Sequence, residues 1–206
     1  MRSQELEVIK DSLVQEIIDL GLFVVFDSKD KSKWFKMKNG VFTQYFINLP
    51  ILMSHPELLD KINRFAIQII ENEKISFDRI MGIPYGALPF AYGIVTNMKV
   101  PCIAARKEGK KSYGISGALM GEFKKGETVL FIEDATATAK TVIEYANRLK
   151  EYSLLVKDVI VICDTEQTGR QNLNKHNIKL HNLFAWSDFV EVYKKSPQNR
   201  VNPIIT

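Results

Sequence analysis

Val129-Leu130-Phe131-Ile132-Glu133-Asp134-Ala135-Thr136-Ala137-Thr138-Ala139-Lys140-Thr141 is the stretch on which the fold of this chain turns. Four apolar residues predict a buried strand, two adjacent carboxylates close it, small residues follow, and a helix begins at Lys140. Amide N–H groups at a helix N-terminus, together with the helix dipole, make a site for a phosphate dianion. Small side chains let an anion approach the backbone, and threonine hydroxyls add donors. Glu133 and Asp134 stand one loop away, placed to accept hydrogen bonds from sugar hydroxyls or to enter a magnesium shell. These parts suit a ribose 5-phosphate. The plainer alternative is a strand–turn–helix connection with Asp134 near an N-cap.

On either side the same alternation continues. Apolar runs at Arg79 to Ile83, Val100 to Ala105, Val159 to Cys163 and Leu180 to Ala185 predict further strands. Helical stretches are expected over Gly86 to Asn97, Lys140 to Glu151, Gly169 to His176 and Asp188 to Lys194. Continuous apolar strands interleaved with helices argue for an α/β fold, a parallel sheet covered on both faces. Ligands of such sheets bind at the carboxyl ends of the strands.

The first fifty or so residues do not share this alternation. Leu6, Ile9, Leu13, Ile17 and Leu20 recur at helical spacing up to Gly21, which predicts an amphipathic helix. Short strands are expected at Leu22 to Phe26, Trp34 to Met37 and Tyr45 to Leu49, with Asn39-Gly40 as a hairpin turn between the last two. Ser54, Pro56 and Glu57 read as a capping box opening a helix to about Glu73. The expected division is a small N-terminal α+β hood over 1–52 and an α/β core over 53–206.

The 206 residues suffice for one sizeable core. A 46% hydrophobic and 25% charged composition is that of a globular chain. No apolar run is long enough to span a membrane, and the N-terminal residues lack an apolar signal core. Cys102 and Cys163 sit in apolar strands, as buried thiols of a reducing compartment do, so a cytoplasmic location without membrane attachment is expected. The charge of +4 is scattered apart from Arg106-Lys107-Glu108-Gly109-Lys110-Lys111, which argues against a nucleic-acid footprint. This basic, glycine-dotted segment suits a lid that brings cations onto a pyrophosphate, or a solvated surface loop.

Five blocks, in order, resemble the orotate phosphoribosyltransferases of the type I phosphoribosyltransferase family. The acidic pair and following loop are similar to the family's phosphoribosyl-diphosphate motif, with Glu133, Asp134 and Thr141 matching, Ala137 standing for threonine and Ala139 for glycine. Arg106-Lys107-Glu108, followed by Lys111, Tyr113 and Gly114, resembles the catalytic loop, with one extra residue and Ser112 for aspartate. Phe35-Lys36-Met37-Lys38-Asn39-Gly40 and Tyr45-Phe46-Ile47-Asn48 resemble the amino-terminal segment. Gly82-Ile83-Pro84-Tyr85-Gly86-Ala87-Leu88-Pro89 resembles the pyrophosphate-wrapping block. Asp164-Thr165-Glu166-Gln167-Thr168-Gly169 is similar to the base-site segment, with Thr165 where the family has arginine.

The resemblance implies the type I phosphoribosyltransferase fold and transfer of a phosphoribosyl group from 5-phosphoribosyl 1-diphosphate to orotate with Mg2+, in pyrimidine biosynthesis. The Thr165 departure leaves open another base. The departures together leave open a non-catalytic nucleotide-binding relative. The match implies Lys111, Glu133 and Asp134 as catalytic residues, with Lys110 the alternative loop lysine. It implies Lys38, Tyr85, Gly86, Arg106, Lys107, Lys110, Tyr113 and the loop Ala135, Thr136, Ala137, Thr138, Ala139, Lys140 and Thr141 as contacts of the phosphoribosyl diphosphate. Phe46, Ile47 and Thr165 fall at the base. No protein side chain is assigned to the metal. The basic loop of this family reaches into the neighbouring subunit's site, so a homodimer is implied.

Overall fold

The structure is a computed structural model, and it describes residues 3–26, 30, 34–36, 40, 42–106 and 119–195. Helix α1 (Ser3–Asp19) buries Leu13, Val14, Ile17 and Ile18, while Leu20 is left at the surface. Gly21 ends it at φ 70°, with Gly21 N–H donating to Ile18 C=O and Leu22 N–H to Ile17 C=O. This is the paired-bond C-terminal cap that a left-handed glycine permits.

Strand β1 (Phe23–Val25) follows, then β2 (Phe35–Lys36), β3 (Phe42–Thr43) and β4 (Tyr45–Ile47). Strand β2 pairs antiparallel with β3, not with Tyr45 to Leu49 as expected, and Asn39 of the expected turn lies outside the described residues. Strand β4 instead pairs antiparallel with β1, Phe23 facing Ile47. The expected capping box at Ser54 also fails: Leu49–Ser54 is a 3-10 helix, and His55 precedes α2 (Pro56–Asn72) with no side-chain cap. Proline does take the first helical turn, where its missing N–H is harmless.

The central sheet contains β5 (Arg79–Gly82), β8 (Val129–Thr136), β9 (Asp158–Asp164) and β10 (Lys179–Ala185), all parallel in the order β10-β9-β8-β5. A parallel bridge from Ile80 to Cys102 brings the next segment to the outer side of β5. The run expected as one strand over Val100 to Ala105 is thus only that bridge and β6 (Ala104–Ala105), which pairs antiparallel with β7 (Leu119–Met120) on the far side of the basic segment. Helices α3 (Leu88–Met98), α4 (Lys140–Lys150), α5 (Gly169–Asn174) and α6 (Trp186–Lys195) complete the alternation.

Side chains of successive strand residues point to opposite faces, and the two cores follow from that alternation. Ile80, Leu130, Ile132, Ile160 and Ile162 face α1, α2, α3 and α6. Met81, Val129, Phe131, Val159 and Val161 face α4 and α5. Phe131 and Phe184 are fully buried, and truncating either to alanine costs about 3–5 kcal/mol. Phe23 of the hood lies among the rings of Tyr45, Trp186, Phe189 and Tyr193, at centroid separations of 5.5–5.9 Å. The hood thus shares its core with α6.

Candidate active site

Where β5 meets β8, the chain's strand order reverses: the segment after β5 lies on one side of it and β8 on the other. The carboxyl ends of two such strands diverge into a crevice, the favoured ligand position in open α/β sheets. Ile83 N–H still donates to Ile132 C=O at 2.9 Å, so the strands stay paired up to the acidic pair. Strand β8 runs on to Thr136, four residues beyond the expected end. Glu133 and Asp134 therefore belong to a strand, with Glu133 opposite Val161 and only 8% exposed.

Asp134 is half-buried, and one of its oxygens accepts the Ala135 N–H at 2.9 Å. The other faces Gly86, where an added Cβ would stand 1.9 Å from Asp134 Oδ2. The carboxylate occupies the space of a side chain, so any larger residue there would have to displace Asp134. Gly86 and Ala87 form a turn before α3, which starts two residues later than the sequence suggests. The Pro84–Tyr85 peptide is cis, and the Tyr85 ring is 65% exposed.

The loop after β8 enters α4 through Ala139, which is left-handed at φ 57° and offers no side-chain cap. Its methyl is 3% exposed and packs in the core with Val142 and Phe131, so it fills the interior and leaves the amide side of the loop clear. Holding alanine in that conformation costs about 1–2 kcal/mol. Thr136 is buried in the β8–β9 ladder, with its C=O accepting from Thr165. The exposed Thr141 and half-buried Thr138 keep their hydroxyls nearer the loop surface. Lys140 extends to Glu144 at 3.9 Å along the exposed face of α4, a pairing of little energetic weight.

Arg106 is the last described residue before the basic segment. Its Nε and Nη1 are buried and have no hydrogen-bond partner among the described residues. Its C=O accepts from Arg148 Nη2 at 2.8 Å, and Arg148 lies over the Tyr145 ring at 4.8 Å. Helix α4 thus follows the loop after β8 at one end and, through Arg148, holds the Arg106 carbonyl further along. Lys107, Lys110, Lys111 and Tyr113 lie outside the described residues, as does Lys38.

At the expected base site the residues separate. Phe46 is 41% exposed and stacks on Phe35 at 4.9 Å. Ile47, its neighbour on β4, points the other way into the core. Because successive strand residues face opposite ways, the structure does not bring Phe46 and Ile47 onto one surface. Thr165 donates its hydroxyl to Thr136 C=O at 2.9 Å and accepts from Gln167 at 3.2 Å. Having given up its one donor, it has none for a base. Arg170 turns to Leu180 C=O and Asn182, both at 2.8 Å, on β10. Sequence reasoning missed Gly169 and Asn172, whose N–H groups hold the carbonyls of Ala137 and Thr138. Only the Thr168-Gly169 helix start hinted at them.

The chain matches the phosphoribosyl transferase domain family over residues 51–193. It is 34% identical over 168 residues to uridine 5'-monophosphate synthase of Bos taurus, covering 82% of this chain and 34% of that one. Thus it spans about a third of the length of that relative. It is 31% identical over 182 residues to orotate phosphoribosyltransferase of Pyrococcus abyssi, covering 88% of this chain and 96% of that one. Among solved structures, the UMP synthase of Leishmania donovani superposes with a TM-score of 0.78 at 27% identity, over 93% of this chain and 39% of that one.

Proposed function

Because the chain belongs to the phosphoribosyl transferase domain family, we propose that it joins orotate to 5-phosphoribosyl 1-diphosphate, giving orotidine 5'-monophosphate and pyrophosphate in pyrimidine biosynthesis. The observation that carries this reading is the contact of Gly86 with Asp134 at the strand-order reversal. It joins the pyrophosphate-type turn, the acidic pair and the uncapped start of α4 in one crevice. The names of the bovine and archaeal relatives support the same chemistry.

In this reading the amides of the 135–141 loop hold the ribose phosphate, and Glu133 with Asp134 orients the ribose hydroxyls. Tyr85 and Gly86 border the diphosphate, and Arg106, Lys107, Lys110 or Lys111, and Tyr113 meet its charge. The buried guanidinium donors of Arg106 support an anion there, since such donors are costly to leave unmade. Lys38 contacts phosphate, and Phe46 offers a face to the base. Charge builds on the departing diphosphate, and preorganised cations stabilise it without a covalent nucleophile.

Among the described residues no cluster of three or more His, Cys, Asp or Glu side chains can hold a metal ion. Of the acidic pair Asp134 borders the crevice, and its carboxylate fits Mg2+ that arrives on substrate phosphates. When bound, the ion would neutralise diphosphate charge. No helix of the described residues is long and apolar enough to cross a membrane. A cytoplasmic homodimer with shared sites completes the reading.

Orotate-dependent release of pyrophosphate in the presence of Mg2+ tests it, with turnover falling about 10²- to 10³-fold in Lys111→Ala. Binding of phosphoribosyl diphosphate without such release would overturn the assignment to orotate. A second reading, another base, is favoured by the committed hydroxyl of Thr165 and by Arg170 turning to β10. A panel of bases separates the two.

A further inference from the structure

Four successive carbonyls leading from β8 into α4 each accept a hydrogen bond. Thr136 C=O takes both the Thr165 N–H at 3.0 Å and the Thr165 hydroxyl at 2.9 Å. Ala137 C=O takes the Gly169 N–H at 2.8 Å, and Thr138 C=O takes Asn172 Nδ2 at 3.1 Å. Ala139 C=O takes the Ile143 N–H at 3.0 Å, the first helical bond of α4. Three of the four are thus held by the β9–α5 connection and by α5 itself.

In a planar trans peptide the C=O and the next N–H point in opposite directions. Carbonyls drawn toward the β9–α5 connection therefore turn the amides of Ala137, Thr138 and Ala139 away from it, toward the β5 side of β8. That is the side of the crevice. Gly169 makes the approach possible, since a Cβ there would stand 3.1 Å from Ala137 C=O. Gln167 holds the Thr165 oxygen in place at 3.2 Å.

We propose that Thr165 is a positioning residue of the phosphate loop: its hydroxyl, with Gly169 and Asn172, fixes the loop carbonyls so that the amides face the ligand. The inference rests on the reading that this loop binds the 5-phosphate of a ribose. It assigns Thr165 to the phosphate and not to the base, and it accounts for a loop that keeps its shape with Ala137 where the family has threonine.

The test is Thr165→Val, which keeps the shape and removes the hydroxyl, beside Thr165→Ser, which restores it, and Asn172→Leu. Affinity for ribose 5-phosphate and for phosphoribosyl diphosphate is measured by calorimetry, and the KM of each substrate by steady-state turnover. The expected result is affinity for both phosphate ligands weakened about fivefold in Thr165→Val and Asn172→Leu, the scale of one hydrogen bond. Recovery in Thr165→Ser and an unchanged KM for orotate complete it. A raised KM for orotate with unchanged phosphate affinity overturns the proposal, as does a silent Thr165→Val. If the wild type binds ribose 5-phosphate but transfers nothing, the proposed activity falls, while the calorimetry still decides the role of Thr165. If it binds neither phosphate ligand, both fall.

Discussion

At the amino ends of β5 and β8, Arg79 meets Glu127 through two N–H···O bonds, and Thr128 N–H donates to Asp78 at 2.7 Å. At their carboxyl ends Asp134 presses against a glycine and α4 begins on a left-handed alanine without a side-chain cap. The amino end is further closed by His181 bonded to Asp158 at 2.8 Å. Arg79 and Glu127, and Asp158 and His181, are paired with each other, and Asp78 meets a backbone donor. The carboxyl end leaves two buried N–H groups of Arg106 with no partner among the described residues. The difference teaches where a ligand would be welcome: one rim has its charges paired, while the other holds buried donors that are unfavourable unmet and would be satisfied by an anion.

The comparison breaks most sharply at Gly86→Ala. The new methyl would displace Asp134, and a misplacement of about 1 Å at a reacting site costs about 10²-fold in rate. Phosphoribosyl transfer is expected to fall by that factor with the thermal midpoint little changed; wild-type rates would refute the role of the contact. Glu127→Gln should do the reverse. The Arg79 guanidinium holds the Glu127 carboxyl at about 2, below its ordinary 4.5. A carboxylate lowered in the folded state contributes stability that is full above 4.5 and is lost as pH falls toward 2. The substitution should lower the thermal midpoint at pH 7 and remove that acid-side decline, while turnover stays at the wild-type level. Parallel melting curves from pH 2 to 7 check it. The smallest effect is expected of Ala139→Gly. Relief of the left-handed strain, about 1–2 kcal/mol, is offset by roughly 0.8 kcal/mol of lost methyl burial. Chemical denaturation should show a shift of about 1 kcal/mol or less, and a gain well beyond that would mean the methyl was strained in the core.

The central sheet was legible because its signal is local: apolar runs of strand length, each followed by a helical stretch. The hood was less so. Phe42–Thr43 and Tyr45–Ile47 are separated by Gln44 alone, and propensity does not say which pairs with Phe35–Lys36 and which with Phe23–Val25. Ser54 satisfied the capping pattern, yet the tight turn of Leu49–Ser54 took it before α2 began. Phe46 and Ile47 were separable in principle, since adjacent residues of a strand face opposite ways. The positions of Glu133, Asp134 and Gly86 were legible as a motif, but their contact was not. Arg79 with Glu127, and Thr165 with Thr136, are pairings across 48 and 29 residues, set by sheet register and carrying no local trace.

Phe23 sits among rings from Tyr45, Trp186, Phe189 and Tyr193, and that arrangement bears on the order in which a ribosome delivers the chain. The strand carrying Phe23 emerges early, but three of its four aromatic neighbours are translated only with α6. Until then α1 has α2 to pack against, but Phe23 lacks most of its aromatic surroundings, and a two-stranded pairing of β1 with β4 is marginal by itself. The apolar seat of Phe23 is therefore completed late, and a nascent chain stalled before Trp186 carries that ring without three of its aromatic neighbours.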